Sequence, residues 1–167
     1  HPTPPVFDGA EDRNGRRNHD EIKLFADYIS GLDYLVDDDG QTGGMSMNTS
    51  FIVMGDLNAD PLDGDSYNNA INLLLDHPSV NQEVAQGSLI PRSEGAAEHN
   101  QRSGDAGDPS YDTSFFGLRV DYVLPSADLN AIDSGVYWPA SNQEGYDIVK
   151  DELASDHLLV WVDISFE

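Results

Sequence analysis

Cysteine is absent from this chain, basic residues are scarce, and no long apolar run occurs. Without cysteine there are no disulfides and no thiolate metal sites. A secreted location stays open, because secreted proteins can also lack disulfides. No apolar run reaches the roughly 18 residues that suggest a membrane-spanning helix. Neither a secretory signal pattern nor an initiator methionine is visible. The chain begins His1-Pro2-Thr3-Pro4-Pro5 and is expected to be part of a longer protein, so the missing signal carries no weight. Eight Lys and Arg stand against 31 Asp and Glu, a formal net charge of -23. A surface this acidic repels phosphate backbones at long range. It also suits solubility in salty surroundings, and an extracellular or periplasmic location is expected.

What is present suffices for one domain. The chain has 167 residues, 38% of them hydrophobic, with a mean hydropathy of -0.47. Residues 1–17 read as loop, because Pro2, Pro4 and Pro5 resist helix. A helix is expected from Asn18, with Glu21 completing a capping-box-like start. Ile22, Phe25, Ala26 and Ile29 then share one face, and Gly31 closes it. Residues 37–48 read as a solvated loop. Asp37, Asp38 and Asp39 lack the oxygen spacing of an EF-hand. Phe51 to Met54 suits a buried central strand. A second helix is expected over Ser66 to Asp76, and a long surface loop over residues 86–110. Strands are expected at Arg119 to Leu124, briefly at Val136 to Trp138, and at Leu158 to Phe166. Residues 140–154 read as polar loop with room for a helical turn. The mixture predicts an α/β (α+β) fold.

Three short motifs carry the chemistry, and each adjoins a strand. Asp56 and Asn58 follow the first strand, two residues apart, which in extended backbone points them to one side. Asp121 lies inside an apolar strand, where a carboxylate is costly to bury unless paired. Asp156 and His157 precede the last strand. Taken singly, the first motif reads equally as a turn and the third as a surface cap. Polar residues at strand ends can also converge on one rim, where sites are commonly built.

In order, Gly-Asp-Leu-Asn-Ala-Asp-Pro (55–61), Arg-Val-Asp-Tyr-Val-Leu-Pro-Ser (119–126) and Ser-Asp-His (155–157) resemble the endonuclease/exonuclease/phosphatase superfamily, and its deoxyribonuclease and sphingomyelinase branches in particular. The resemblance implies a divalent-metal-dependent phosphoesterase. Asp56 would orient or deprotonate the attacking water, and Asn58 would hold the phosphate or that water. His157 would contact the scissile phosphate, with Asp121 paired to it, fixing its tautomer and favouring its protonated form. Asp156 would help ligate the metal, and His1 would stand as a second active-site histidine. Oxygen ligands suit magnesium, calcium or manganese better than zinc. At this net charge a metal is close to obligatory for an anionic substrate. Arg16 or Arg17 is a further candidate to reach phosphate, although surface arginines before a helix are usually only solvated.

The superfamily's fold is a two-sheet sandwich flanked by helices. Its N-terminal half supplies an Asn and a metal-binding Glu, and Glu11 and Glu21 lie in the wrong context to replace them. Residues 1–167 are therefore expected to be the C-terminal half of one such domain, with an incomplete metal site and impaired activity. A half sandwich opens an apolar sheet face, so altered packing or self-association is expected. The substrate class is a phosphate ester, nucleic acid included, although so few basic residues lean against a duplex-DNA nuclease. The rival reading is a non-catalytic acidic module whose Asp-rich loops (37–39, 60–65, 105–112) bind cations structurally.

Overall fold

The apolar face of the first helix sets the main core. In the computed structural model, which describes residues 1–101 and 103–166, helix α1 spans Arg13–Ile29. Its Ile22 and Ala26 are buried against Ile71, Leu74, Tyr122 and Leu124. Gly31 follows with φ 68, left-handed backbone that glycine adopts without a Cβ penalty. The helix begins five residues earlier than the sequence suggests, after Asp12, whose side chain makes no capping bond. The expected cap residues serve other contacts. Asn18 is buried inside the helix, and Glu21 accepts bonds from the Thr3 amide and hydroxyl.

Among the described residues, two small antiparallel sheets make up the strand pairing, giving a mixed α/β fold. Strand β1 (Ile52–Asp56) pairs with β2 (Asp121–Pro125), placing Asp56 opposite Asp121. Strand β3 (Asn130–Tyr137) pairs with β4 (Leu159–Ser165). The expectation that Phe51 to Met54 forms a buried central strand is corrected. Among the described residues β1 has β2 as its only partner strand, and Ile52 and Met54 are exposed. The brief strand expected near Val136 is instead the end of the longer β3, whose Asn130–Gly135 half has little apolar patterning.

The second helix is also shorter than expected. Residues Tyr67–Asn69 form a 3₁₀ turn, Asn68 and Asn69 take φ 49, and helix α2 covers only Asn72–Leu75. Asn tolerates left-handed backbone better than other non-glycine residues, and two in a row interrupt the helix. A short helix, α3, follows at Gln82–Ala85. The expected loop at 86–110 contains helix α4 (Glu94–His99), started by Ser93, whose Oγ accepts the Ala96 N–H at 3.1 Å. Its Ala96 joins a second core with Val136, Trp138 and Leu158. A final helical turn, α5 (Tyr146–Val149), lies inside the polar 140–154 segment.

Two local devices position the chemistry. The Tyr122 hydroxyl lies 2.7 Å from the carbonyl oxygens of both Ala59 and Arg119, so strand β2 holds the loop that follows β1. The start of β4 is held in turn by the segment before β2. Phe115 N–H donates to Asp156 O at 2.9 Å and Leu158 N–H to Thr113 O at 2.8 Å.

Candidate active site

Strand pairing places Asp56 beside Asp121, and the Thr113–Leu158 contacts bring His157 alongside both. His157 Nδ1 lies 2.8 Å from Asp121 Oδ2. The same oxygen accepts the Thr113 hydroxyl at 2.8 Å. Thr113 Oγ1 also accepts the backbone N–H groups of Val120 and Asp121. Asp121 is the first residue of β2 rather than an interior one as expected, and its half-buried carboxylate is paired. His157 Nε2, on the other side of the ring, is 3.9 Å from Asp56 Oδ2.

Asp56 and Asn58 meet by a different route from the one extended backbone offers. Asn58 has φ 50. Its N–H bonds to Asp56 Oδ1 at 2.8 Å and its side-chain amide to Asp56 Oδ2 at 3.1 Å. This local side-chain-to-backbone turn folds the two groups onto each other. The Asn58 amide also donates to Pro2 O at 3.0 Å. His1 Nε2 stands 3.2 Å from Asp56 Oδ2. The opening residues are held by α1, where the buried Asn18 amide reaches Thr3 O, Leu57 O and Asn58 O at 2.9, 3.0 and 3.3 Å.

Together these groups line one cleft of about 640 Å³, with His1, Asp56, Asn58, Asp156 and His157 in its wall. Asp156 is exposed and lies outside the tight Asp56–Asp121–His157 group. Arg16 and Arg17 do not line the cleft. Arg16 stacks over Tyr67 at 4.9 Å, and Arg17 pairs with Glu21 at 3.2 Å. Sequence reading missed Thr113, which sits in no motif, and took Asn18 for a helix cap rather than a brace behind the site.

The electrostatics favour one proton shared by the pair. Burial pulls the His157 imidazole down, but the hydrogen bond and charge of Asp121, with Asp56 and Asp156 beyond, outweigh it and leave the group raised. Burial pushes the Asp121 carboxyl up, against the lowering bonds from His157 and Thr113. Both shifts favour keeping a proton within the pair, and a protonated imidazole presents a cationic donor at Nε2.

Asp56, Asp121 and His157 offer ligand atoms within 4.8 Å of one another. As a complete cage this trio is poor, because Asp121 and His157 are already bonded to each other. Beyond the trio, Asp56 and Asp156 both present carboxylates to the wider cleft. A cationic imidazole, carboxylates and an amide around one cleft suit hydrolysis of an anionic ester. The chain belongs to the Endonuclease/Exonuclease/phosphatase family, whose model matches residues 10–157. Enzymes of that family are in general hydrolases of phosphate esters that use a divalent metal. No curated protein and no solved structure matches the chain.

Proposed function

We propose that this protein hydrolyses a phosphodiester or phosphomonoester through an activated water, with magnesium, calcium or manganese bound at the cleft. The observation that carries the reading is His157, bonded to Asp121 through Nδ1 and directing Nε2 toward Asp56. A phosphate ester is negatively charged and repels an attacking hydroxide, so cationic donors on its nonbridging oxygens lower the barrier. His157 supplies such a donor from Nε2, and Asp121 keeps the ring oriented and charged. Asp56 orients the water and takes its proton. Asn58 holds Asp56 through two hydrogen bonds, and His1 sets a second imidazole against the same Oδ2 that faces His157. When bound, the metal supplies Lewis-acid stabilisation of phosphoryl charge.

Asp56 and Asp156 would hold that metal. Two carboxylates leave most of its coordination to water, so weak binding by residues 1–167 alone is our reading, with low activity in consequence. A further carboxylate ligand would tighten the site.

The acidic-module alternative is less well supported, because three of its loop carboxylates serve as backbone staples. Asp60 accepts the backbone N–H groups of Leu62, Asp63 and Arg119. Asp63 accepts those of Ala106 and Gly107. Asp37 accepts those of Asp39 and Gln41.

The test is hydrolysis of bis(p-nitrophenyl) phosphate and p-nitrophenyl phosphate by the intact protein, with magnesium, calcium or manganese and with chelator. Metal-dependent turnover of either ester supports the reading. Cation binding with no turnover of any phosphate ester favours the module instead.

A further inference from the structure

The cleft also has apolar lining, and two of its phenylalanines are displayed to solvent. Phe7 is 95% exposed and Phe116 38% exposed, and both line the same cleft as His157. Exposed single apolar residues are ordinary. These two are not ordinary, because the backbone is tied down to present each of them.

Phe7 has φ 63, left-handed backbone in which a bulky residue is an outlier. Such a conformation persists only where surrounding structure over-determines it. Asn14 does so here, bonding Val6 O at 2.7 Å through its side chain and Asp8 Oδ2 at 2.5 Å through its N–H. The residues on both sides of Phe7 are therefore fastened to α1 while its ring stays in water. Phe116 sits at the tip of a tight turn. Gly117 N–H bonds to Ser114 O at 3.0 Å, Gly117 takes φ 72, and the Ser114 hydroxyl bonds to Leu118 O at 2.9 Å. The turn sets the Phe116 ring edge-on to His157, with centroids 5.4 Å apart.

We infer that Phe7 and Phe116 form a seat for a planar aromatic ring carried by the substrate. The substrate class is then a phosphate ester with a nucleobase or aryl group within a cleft's length of the phosphorus. Aromatic rings prefer offset or edge-on contacts with other rings, and stacking of this kind is tolerant of which ring arrives. A polyol such as an inositol lacks the planar π face that offset or edge-on ring contacts need. A duplex, whose bases are stacked inside and whose backbone meets a surface of this charge, is poorly suited too. The inference rests on the phosphoesterase reading for the position of the phosphate.

Binding separates the two ideas, because it needs no turnover. Isothermal titration calorimetry with magnesium present would compare phenylphosphonate, thymidine 5′-monophosphate, hexylphosphonate and methylphosphonate on the wild type, Phe7→Ala, Phe7→Tyr and Phe116→Ala. The seat predicts phenylphosphonate binding about tenfold tighter than methylphosphonate. Phe7→Ala and Phe116→Ala should remove that preference while leaving methylphosphonate unchanged, and Phe7→Tyr should keep it. The nucleotide binding as tightly as phenylphosphonate, and losing affinity in the same variants, assigns the seat to a nucleobase. Tight phenylphosphonate with a weak nucleotide assigns it to a simple aryl group. Equal binding of phenyl- and methylphosphonate overturns the inference, and so does hexylphosphonate matching phenylphosphonate. If Phe116→Ala weakens every ligand alike, Phe116 merely positions His157 and the seat is contradicted. Metal-dependent hydrolysis of phosphate esters by the wild type judges the phosphoesterase reading on its own, whatever these binding results.

Discussion

His157 and Asp121 meet through Nδ1 and Oδ2 at 2.8 Å although 36 residues separate them in the chain. The contact keeps the imidazole protonated above the pH at which a free one gives up its proton. The proposed mechanism uses that cation, so activity should fall as pH rises through the raised value, above the usual imidazole range near 6.5. Asp121→Asn removes the charge and should shift that limb of the pH–rate profile downward. A profile unmoved by the substitution would separate the pair from the chemistry. The linkage to stability has the same sign. A group with raised folded pKa contributes stability present in full below its unfolded value and lost as pH rises through the folded one.

Asp112 should govern a second pH effect, on stability rather than rate. It is buried, and burial with the neighbouring charges of Asp60, Asp105 and Asp63 pushes its carboxyl up to about 7, against a lowering bond from Asn100. Its stabilising contribution is full below the ordinary carboxylate value near 3.8. It declines across the interval up to about 7 and stays lost above that. Urea midpoints measured from pH 4 to 8 should fall more steeply in the wild type than in Asp112→Asn, which cannot ionise. Parallel curves would show that Asp112 does not ionise within the interval.

Asn18 ties α1 to both the opening segment and the loop after β1, so its loss should loosen the cleft from behind. Asn18→Ala leaves three backbone carbonyls short of a donor. Unsatisfied buried groups cost about 1–3 kcal/mol each in the folded state, though water entering the gap offsets part of that. A destabilisation of about 2 kcal/mol by denaturant melting is expected, with weakened contact between Asn58 and Pro2. Unchanged stability would mean that α1 is held by its apolar face alone.

Much of this arrangement is legible in the sequence, and the parts that are not share a cause. The apolar spacing of Ile22 and Ala26 marks the buried face of α1, and the first and last strands follow from their apolar runs. Helix starts are less legible where a side chain has two uses. Asn18 and Glu21 have the spacing of a cap, yet tertiary partners across the chain claim both. Asn68 and Asn69 likewise interrupt a pattern that would otherwise continue as helix. At the candidate site, Asp56, Asn58, Asp121 and His157 stand out as motifs beside strands. The Thr113 bond that steadies Asp121 does not, because it is made by a turn with no local signature. Nor does sequence reveal that among the described residues β1 has one strand partner and leaves Met54 64% exposed.

The central claim is that Asp56 and His157 act on the same phosphorus atom from one cleft, and a double-mutant comparison tests it most directly. With metal present, kcat/KM for bis(p-nitrophenyl) phosphate would be measured on the intact protein, on Asp56→Asn, on His157→Ala and on the double variant. General acid–base groups typically contribute about 10²–10⁴-fold, and groups acting as a unit are strongly non-additive. The account predicts that each single change lowers kcat/KM within that range, with folding retained by circular dichroism, and that the double variant is little worse than the poorer single one. Full turnover in His157→Ala, or losses that simply multiply in the double variant, would contradict it.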